Sequence, residues 1–185
     1  MKHVAFLAAC AVLAACIPGP ARVDTARTQG SDKAYSVDLP VGWIKQYTME
    51  NNLMVSRDGF LLQTVAIVHR PLKDAFQRTK KDAADSMLPS ELAELEIAEI
   101  KARDELTEAL TVLENEPASV SGKEGFRVRV AYHNPRGLEI HEEVYGVVGQ
   151  SRLYLLVFRA PRLYYFPKYY PDFQKTVESF KIGAS

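Results

Sequence analysis

The chain has 185 residues, 47% of them hydrophobic and 25% charged, which suits one ordinary globular domain and a tail. Its 23 Lys and Arg balance 23 Asp and Glu, which excludes a chain built as a whole to bind nucleic acid or to stay unfolded by charge repulsion. Composition also excludes collagen, a coiled coil and a disulfide-dense miniprotein.

Met1-Lys2-His3 is a short positive start, and Val4 to Ala15 is an unbroken apolar run of about a dozen residues, the length of a signal segment and too short to span a bilayer. It ends in Leu13-Ala14-Ala15-Cys16, which resembles the lipobox of bacterial lipoproteins. The resemblance implies cleavage before Cys16, a diacylglycerol thioether on its sulfur and an acyl chain such as palmitate on its new amine. Several chains would anchor the protein firmly, where one gives only marginal binding. Leu7-Ala8-Ala9-Cys10 has the same form but leaves too short an apolar run before it. The alternative is an ordinary signal peptide cut elsewhere. Position 17 is Ile; by resemblance to Gram-negative sorting, where Asp at that position retains a lipoprotein in the inner membrane, the outer membrane is expected, with the domain in the periplasm. The resemblance thus implies that Cys10 leaves with residues 1–15 and that Cys16 carries lipid, so that no free thiol is expected for a disulfide, a nucleophile or a metal.

Residues 16–33, with Pro18, Gly19, Pro20 and Gly30, read as the lipidated cysteine and a flexible tether reaching at most roughly 60 Å. One globular domain is expected over 34–182. Tyr35 to Leu39 alternates as a strand, Pro40-Val41-Gly42 turns, and Trp43 opens a second strand as a core anchor. Leu53–Arg57 and Phe60–His69 flank Asp58-Gly59, the preferred pair of a two-residue hairpin turn. Phe60–His69 is apolar on both faces and is expected in the middle of a sheet. Residues 72–87 read as a loose helix or a long excursion. A helix follows over 90–103 with Ser90 as its cap and Leu92, Leu95 and Ala102 at helical spacing, and with a shorter continuation to Leu110 left open.

Three strands then follow. Phe126–His133 and Leu138–Val148 flank a three-residue loop with Gly137 in the left-handed position. The expected register sets Tyr132 against Leu138, Val130 against Ile140, Phe126 against Val144, Arg127 against Glu143 and Arg129 against His141. Leu153–Phe158 is the third strand, Pro161 and Pro167 bracket a loop, and Phe173, Val177 and Phe180 mark a last helix. The class is α+β, a mainly antiparallel sheet with helices packed on it. The Val37-Asp38-Leu39-Pro40-Val41-Gly42-Trp43 turn, the Asp58-Gly59 hairpin, Glu124-Gly125-Phe126, Tyr154-Leu155-Leu156 and the closing Phe173…Ser179-Phe180 helix together resemble the PsbP-like fold, an α/β/α sandwich. That resemblance implies an extrinsic accessory subunit of a membrane complex or a binding protein.

The sequence has no Gly-x-Ser-x-Gly, phosphate-cradling loop or dinucleotide fingerprint. Glu139, His141 and Glu143 share one strand face as a metal ligand set would. With Arg127 and Arg129 across from them they read instead as a solvated charge ladder, so neither a metal nor a cofactor is expected. The nine acidic residues between 91 and 116 read as a solvated helix exterior. Half of the aromatic residues lie between Tyr145 and Phe173, interleaved with Arg and Lys. Tyr164, Tyr165, Tyr169, Tyr170, Arg159, Arg162 and Lys168 are therefore the candidate binding residues, because Tyr and Arg dominate interface hot spots. In the competing reading the phenylalanines are core and the tyrosines close the sheet edge.

The expected function is that of a lipid-anchored, non-catalytic binding or accessory protein of the cell envelope, with a protein partner and no nucleic acid. The alternative is a carrier of a small ligand or lipid headgroup with an apolar pocket beside the sheet. An envelope hydrolase ranks third, since His69, His133 and His141 belong to no recognisable triad.

Overall fold

The computed structural model describes residues 19–30, 33–48, 50, 52–103 and 110–183. The leader, the lipobox and Cys16 lie outside the described residues. Eight strands form one antiparallel sheet in the order β1 (Ala21–Arg22), β4 (Ile44–Tyr47), β5 (Leu53–Ser56), β6 (Thr64–Pro71), β10 (Arg152–Pro161), β9 (Glu139–Gly149), β8 (Lys123–His133) and β7 (Thr111–Val120). A small second sheet pairs β11 (Lys181–Ile182), β3 (Tyr35–Asp38) and β2 (Arg27–Gln29). Helix α1 (Pro89–Lys101) lies on one face of the large sheet over β7, β8 and β9, and α2 (Tyr165–Ser179) packs against β10 and β3 on the other. The α+β sandwich expected from the sequence is thus present.

Alternation along the strands divides the apolar residues between two cores. In β10, Tyr154, Leu156 and Phe158 face α2, joining Val65, Ile67, Trp43, Phe173 and Phe180. Leu153 and Leu155 face α1, joining Phe126, Val128, Val130, Ile97 and Ile100. Strand β6 runs between β5 and β10 in the middle of the sheet as expected, but only its α2 face, with Val65 and Ile67, is fully covered, while Ala66 and Val68 on the other face are half-exposed. Trp43 is buried and meets Tyr169 of α2 edge to face, with ring centroids 5.2 Å apart.

Several expectations are corrected. The tether is shorter than expected, because β1 and β2 fall within 16–33 and Val23 is fully buried. Asp58-Gly59 does not make a two-residue turn. Residues 57–63 form a wider loop in which the amides of Leu62 and Gln63 donate to the Gly59 carbonyl, and Asp58 is drawn to Tyr169 and Lys168 of α2. Residues 72–87 are an excursion closed by a Phe76–Lys81 bridge and anchored by the buried Ala75, Phe76 and Ala83. At the start of α1 Leu88 occupies the cap position, and its amide donates to the Glu91 carboxylate at 2.7 Å, so Ser90 lies inside the helix behind Pro89. Residues 104–109, in the continuation left open towards Leu110, are not among those described.

Strand β7 is not among the expected elements, and Glu114 and Glu116, read with the acidic residues of a solvated helix exterior, lie on it instead. It is the sheet's edge, where a proline leaves no ladder bond unmade and charges block pairing with another chain. Between β8 and β9 the three-residue loop Pro135–Gly137 is closed by the Asn134–Leu138 bond at 3.0 Å, with Gly137 at φ 73°. That closure moves the register by two residues, so Arg129 faces Glu143 and Phe126 faces Gly146, while every side chain keeps its expected face. Pro167 does not end a loop but sits in the first turn of α2, where its missing N–H has no intrahelical partner to lose.

Candidate interaction surface

The candidate binding residues around α2 separate by depth. Tyr169 is only 7% exposed and its hydroxyl donates to Asp58, whose other partner is the Lys168 ammonium at 3.3 Å. The Tyr169 hydroxyl, helped by Lys168, holds the Asp58 carboxyl below the usual carboxylate range. Lys168 in turn lies over the rings of Tyr164 and Tyr169, 4.9 and 4.6 Å from their centroids. Tyr170 is half-buried and stacks on Phe166, and its hydroxyl donates to Glu143 at 2.8 Å. Tyr164, Arg162 and Lys168 remain exposed, and Tyr165 is half-buried. Arg159 does not belong with them. It points to the opposite face of the sheet, beside Glu142 and Tyr132.

Glu139 and Glu143 are spoken for by cations and His141 by Glu139, and Glu143 is not solvated. Glu143 is completely buried, its carboxylate accepting from Arg127 Nε at 2.8 Å and from Arg129 Nε. Both arginines extend to Glu114, and Arg127 also to Glu116. Arg129 lies against the Phe166 and Tyr170 rings at 5.6 and 5.1 Å. Glu139 is shared by Arg162 at 2.7 Å and His141 at 3.4 Å, and Arg162 above all holds its carboxyl below the usual range. Burial keeps the His141 imidazole below its ordinary value although Glu139 pulls the other way. His69 and His141 face Tyr154 and Ala160 of β10, roughly 20 Å apart along the strand, so they do not form a joint site. Among the described residues no group of three or more His, Cys, Asp or Glu is arranged to hold a metal.

The exposed large apolar side chains are concentrated at one end of the large sheet. The β5–β6, β8–β9 and β10–α2 loops and the turn before β4 all emerge there. They carry Val41, Ile44, Leu61, Leu62, Leu138, Leu163 and Tyr164, with Leu61 and Leu163 89% and 86% exposed. The first residues of β7 add Val112 and Leu113 at the same end. Of the exposed large apolar side chains among the described residues, only Leu88 lies at the other end. Single exposed apolar residues are normal, whereas contiguous exposed apolar patches are a feature of interaction surfaces in general. Leu163 stood inside the aromatic and basic segment without being singled out. Leu61 is not singled out by the sequence because Phe60–His69 reads as strand throughout, whereas it stands in the 57–63 loop.

A family model described as PsbP matches residues 25–182. No curated protein matches the sequence. Among solved structures, the solution structure of cyanobacterial PsbP (CyanoP) from Synechocystis sp. PCC 6803 is similar with a TM-score of 0.61 at 11% identity, over 95% of this chain and 98% of that one. The crystal structure of the Saccharomyces cerevisiae Ran-binding protein Mog1p gives 0.58 at 11% identity, over 86% and 96%. A crystal structure from Bacteroides thetaiotaomicron VPI-5482 gives 0.55 at 7% identity, over 88% of this chain and 50% of that one. At such identities the likeness is one of fold.

Proposed function

Because this chain belongs to the PsbP family, we propose that it is a lipid-anchored accessory protein of a bacterial envelope that docks, without catalysis, on a protein complex through the apolar end of its sheet. The observation that carries this reading is the gathering of Val41, Leu61, Leu138, Leu163 and Tyr164 at one end, with Arg162 and Lys168 at its edge. Large apolar contacts edged by arginine and tyrosine are the composition of protein interfaces. The fold supports it too, since one neighbour of the same fold is named a Ran-binding protein. No helix among the described residues is long and apolar enough to cross a membrane, and the anchor in this reading is lipid on Cys16.

The position of β1 then sets the working distance. From Cys16 to Ala21 the chain reaches roughly 17 Å at most, so an anchored domain works close against the bilayer rather than far out on a tether. Ile17 after Cys16 favours the outer membrane, with the domain facing the periplasm. The reading predicts that in gently solubilised membranes the protein migrates on native gels as a discrete species of more than twice its own 20.7 kDa. Leu61→Ser with Leu163→Ser is expected to release it to monomer size, and Cys16→Ser to move it out of the membrane fraction. Monomer migration of the unaltered protein would contradict the docking role.

A further inference from the structure

Helix α1 covers β7, β8 and β9 but not the rest of its face of the sheet. Over β5, β6 and β10 the side chains of Met54, Ala66, Val68 and Val157 are left half-exposed, and they floor a cavity of about 320 Å³. Four guanidinium groups line it: Arg70 at the end of β6, Arg78 in the 72–87 excursion, Arg103 just past α1 and Arg159 on β10. Only two carboxylates line it with them, Glu96 and Glu142. Glu142 is fully buried and committed, accepting from Arg103 at 2.7 and 2.8 Å and from the Tyr132 hydroxyl at 2.7 Å. Glu99 stands behind Arg78, accepts from the amides of Arg78 and Thr79 and pairs with the Arg78 guanidinium at 3.8 Å, and Arg70 Nη1 donates to the Ala75 carbonyl at 2.9 Å. Positive charge therefore exceeds negative around an aliphatic floor.

Two buried polar atoms in this wall have no hydrogen-bond partner, Arg70 Nε and Glu96 Oε2. Such groups are costly in a folded protein and call for a partner that the chain itself does not supply. Arg70 Nε is a donor and can be satisfied only by an acceptor. Glu96 is 3% exposed, and burial, against the pull of Arg103 and Arg70, pushes its carboxyl up to about 7. In its protonated form it too is a hydrogen-bond donor in the groove wall.

We propose that this groove binds a small amphipathic anion, an oxyanion head on a short aliphatic tail, with the head on Arg70, Arg159 and Glu96 and the tail over Ala66, Val68 and Val157. A guanidinium fork suits carboxylate and phosphate alike. A volume of about 320 Å³ holds on the order of ten non-hydrogen atoms at the share a water molecule occupies. The groove lies on the opposite face of the sheet from α2, and its ligand does not depend on the docking role.

The test is calorimetric titration of octanoate and of octyl phosphate into the mature chain from position 16 carrying Cys16→Ser, which has neither the apolar leader nor the lipid. Saturable one-to-one binding is expected, at least tenfold weaker for acetate or inorganic phosphate, which lack the tail, and for octanol, which lacks the head. The tighter of the two amphiphiles identifies the head. Ala66→Phe, which fills the floor, and Arg70→Gln are each expected to weaken binding at least tenfold, while Lys123→Ala at the far end of the sheet changes nothing. If Ala66→Phe does not fold, Arg70→Gln decides. Affinity should fall as pH rises through about 7, where Glu96 ionises against Arg70, Arg78, Arg103, Arg159, Glu99 and Glu142, and Glu96→Gln should flatten that fall. Absence of saturable binding by the folded chain, or undiminished binding by the variants, would overturn the proposal.

Discussion

Glu142 and Glu143 are neighbours on β9 that point to opposite faces of the sheet, and both are fully buried. Burial alone would push the Glu142 carboxyl up, but Arg103, aided by Arg159 and Tyr132, outweighs it and holds the carboxyl below its usual range. Glu142 thus adds stability that is present above its unfolded titration and lost as pH falls through the lower folded value. Removing one partner of such a pair strands the other charge, so Glu142→Gln or Glu143→Gln is expected to lose about 3–5 kcal/mol in urea unfolding. Glu96 acts in the opposite sense. Its carboxyl rises from 4.5 to about 7, so the folded state holds the extra proton and stability declines as pH climbs between those values, by about 3 kcal/mol in all. In Glu96→Gln that decline should be missing from urea curves measured between pH 4 and 8. The sequence paired Arg127 with Glu143 through charge alternation and so found the network. It did not show the network's burial, because α2 covers it from far along the chain and strand periodicity cannot report a cover.

At the scale of elements, alternation was legible wherever a strand lay inside the sheet, and β6, β8, β9 and β10 could be read directly. Strand β7 could not, because an edge strand needs neither alternation nor freedom from proline. Phe126 faces Gly146 across the β8–β9 pair, and a Cβ on Gly146 would stand 2.2 Å from the Phe126 ring. Gly146→Ala is therefore expected to cost about 1–3 kcal/mol by overpacking, read as a lower midpoint in thermal unfolding. The expected register, which set Phe126 against Val144, gave Gly146 no such role. Two residues of slip were invisible because an even shift preserves both faces. Helix α2 was legible from Phe173 onward, and its earlier start was masked by Pro167, which a first turn tolerates.

For the molecule as a whole, the aromatic and basic segment lies at the end of the sheet where the proposed docking surface gathers, but its candidate residues are a mixed set. Tyr169 and Tyr170 hold α2 to Asp58 and Glu143, and Arg159 faces the other way. Leu61, Leu138 and Leu163 take their places at the surface, and only the folded loops bring them together. Surface changes away from the core rarely move stability by more than about 0.5 kcal/mol, so Leu61→Ser with Leu163→Ser should leave the unfolding midpoint almost unchanged while abolishing assembly. The docking claim is tested most directly by site-specific photo-crosslinking in intact cells, with a photoreactive residue placed in turn at Leu61, Leu163 and Tyr164 at the apolar end and at Lys123 at the other. A discrete protein adduct from the first three positions and none from Lys123 is the predicted result. Equal labelling from both ends, or no adduct from a well-expressed protein at the apolar end, would contradict it.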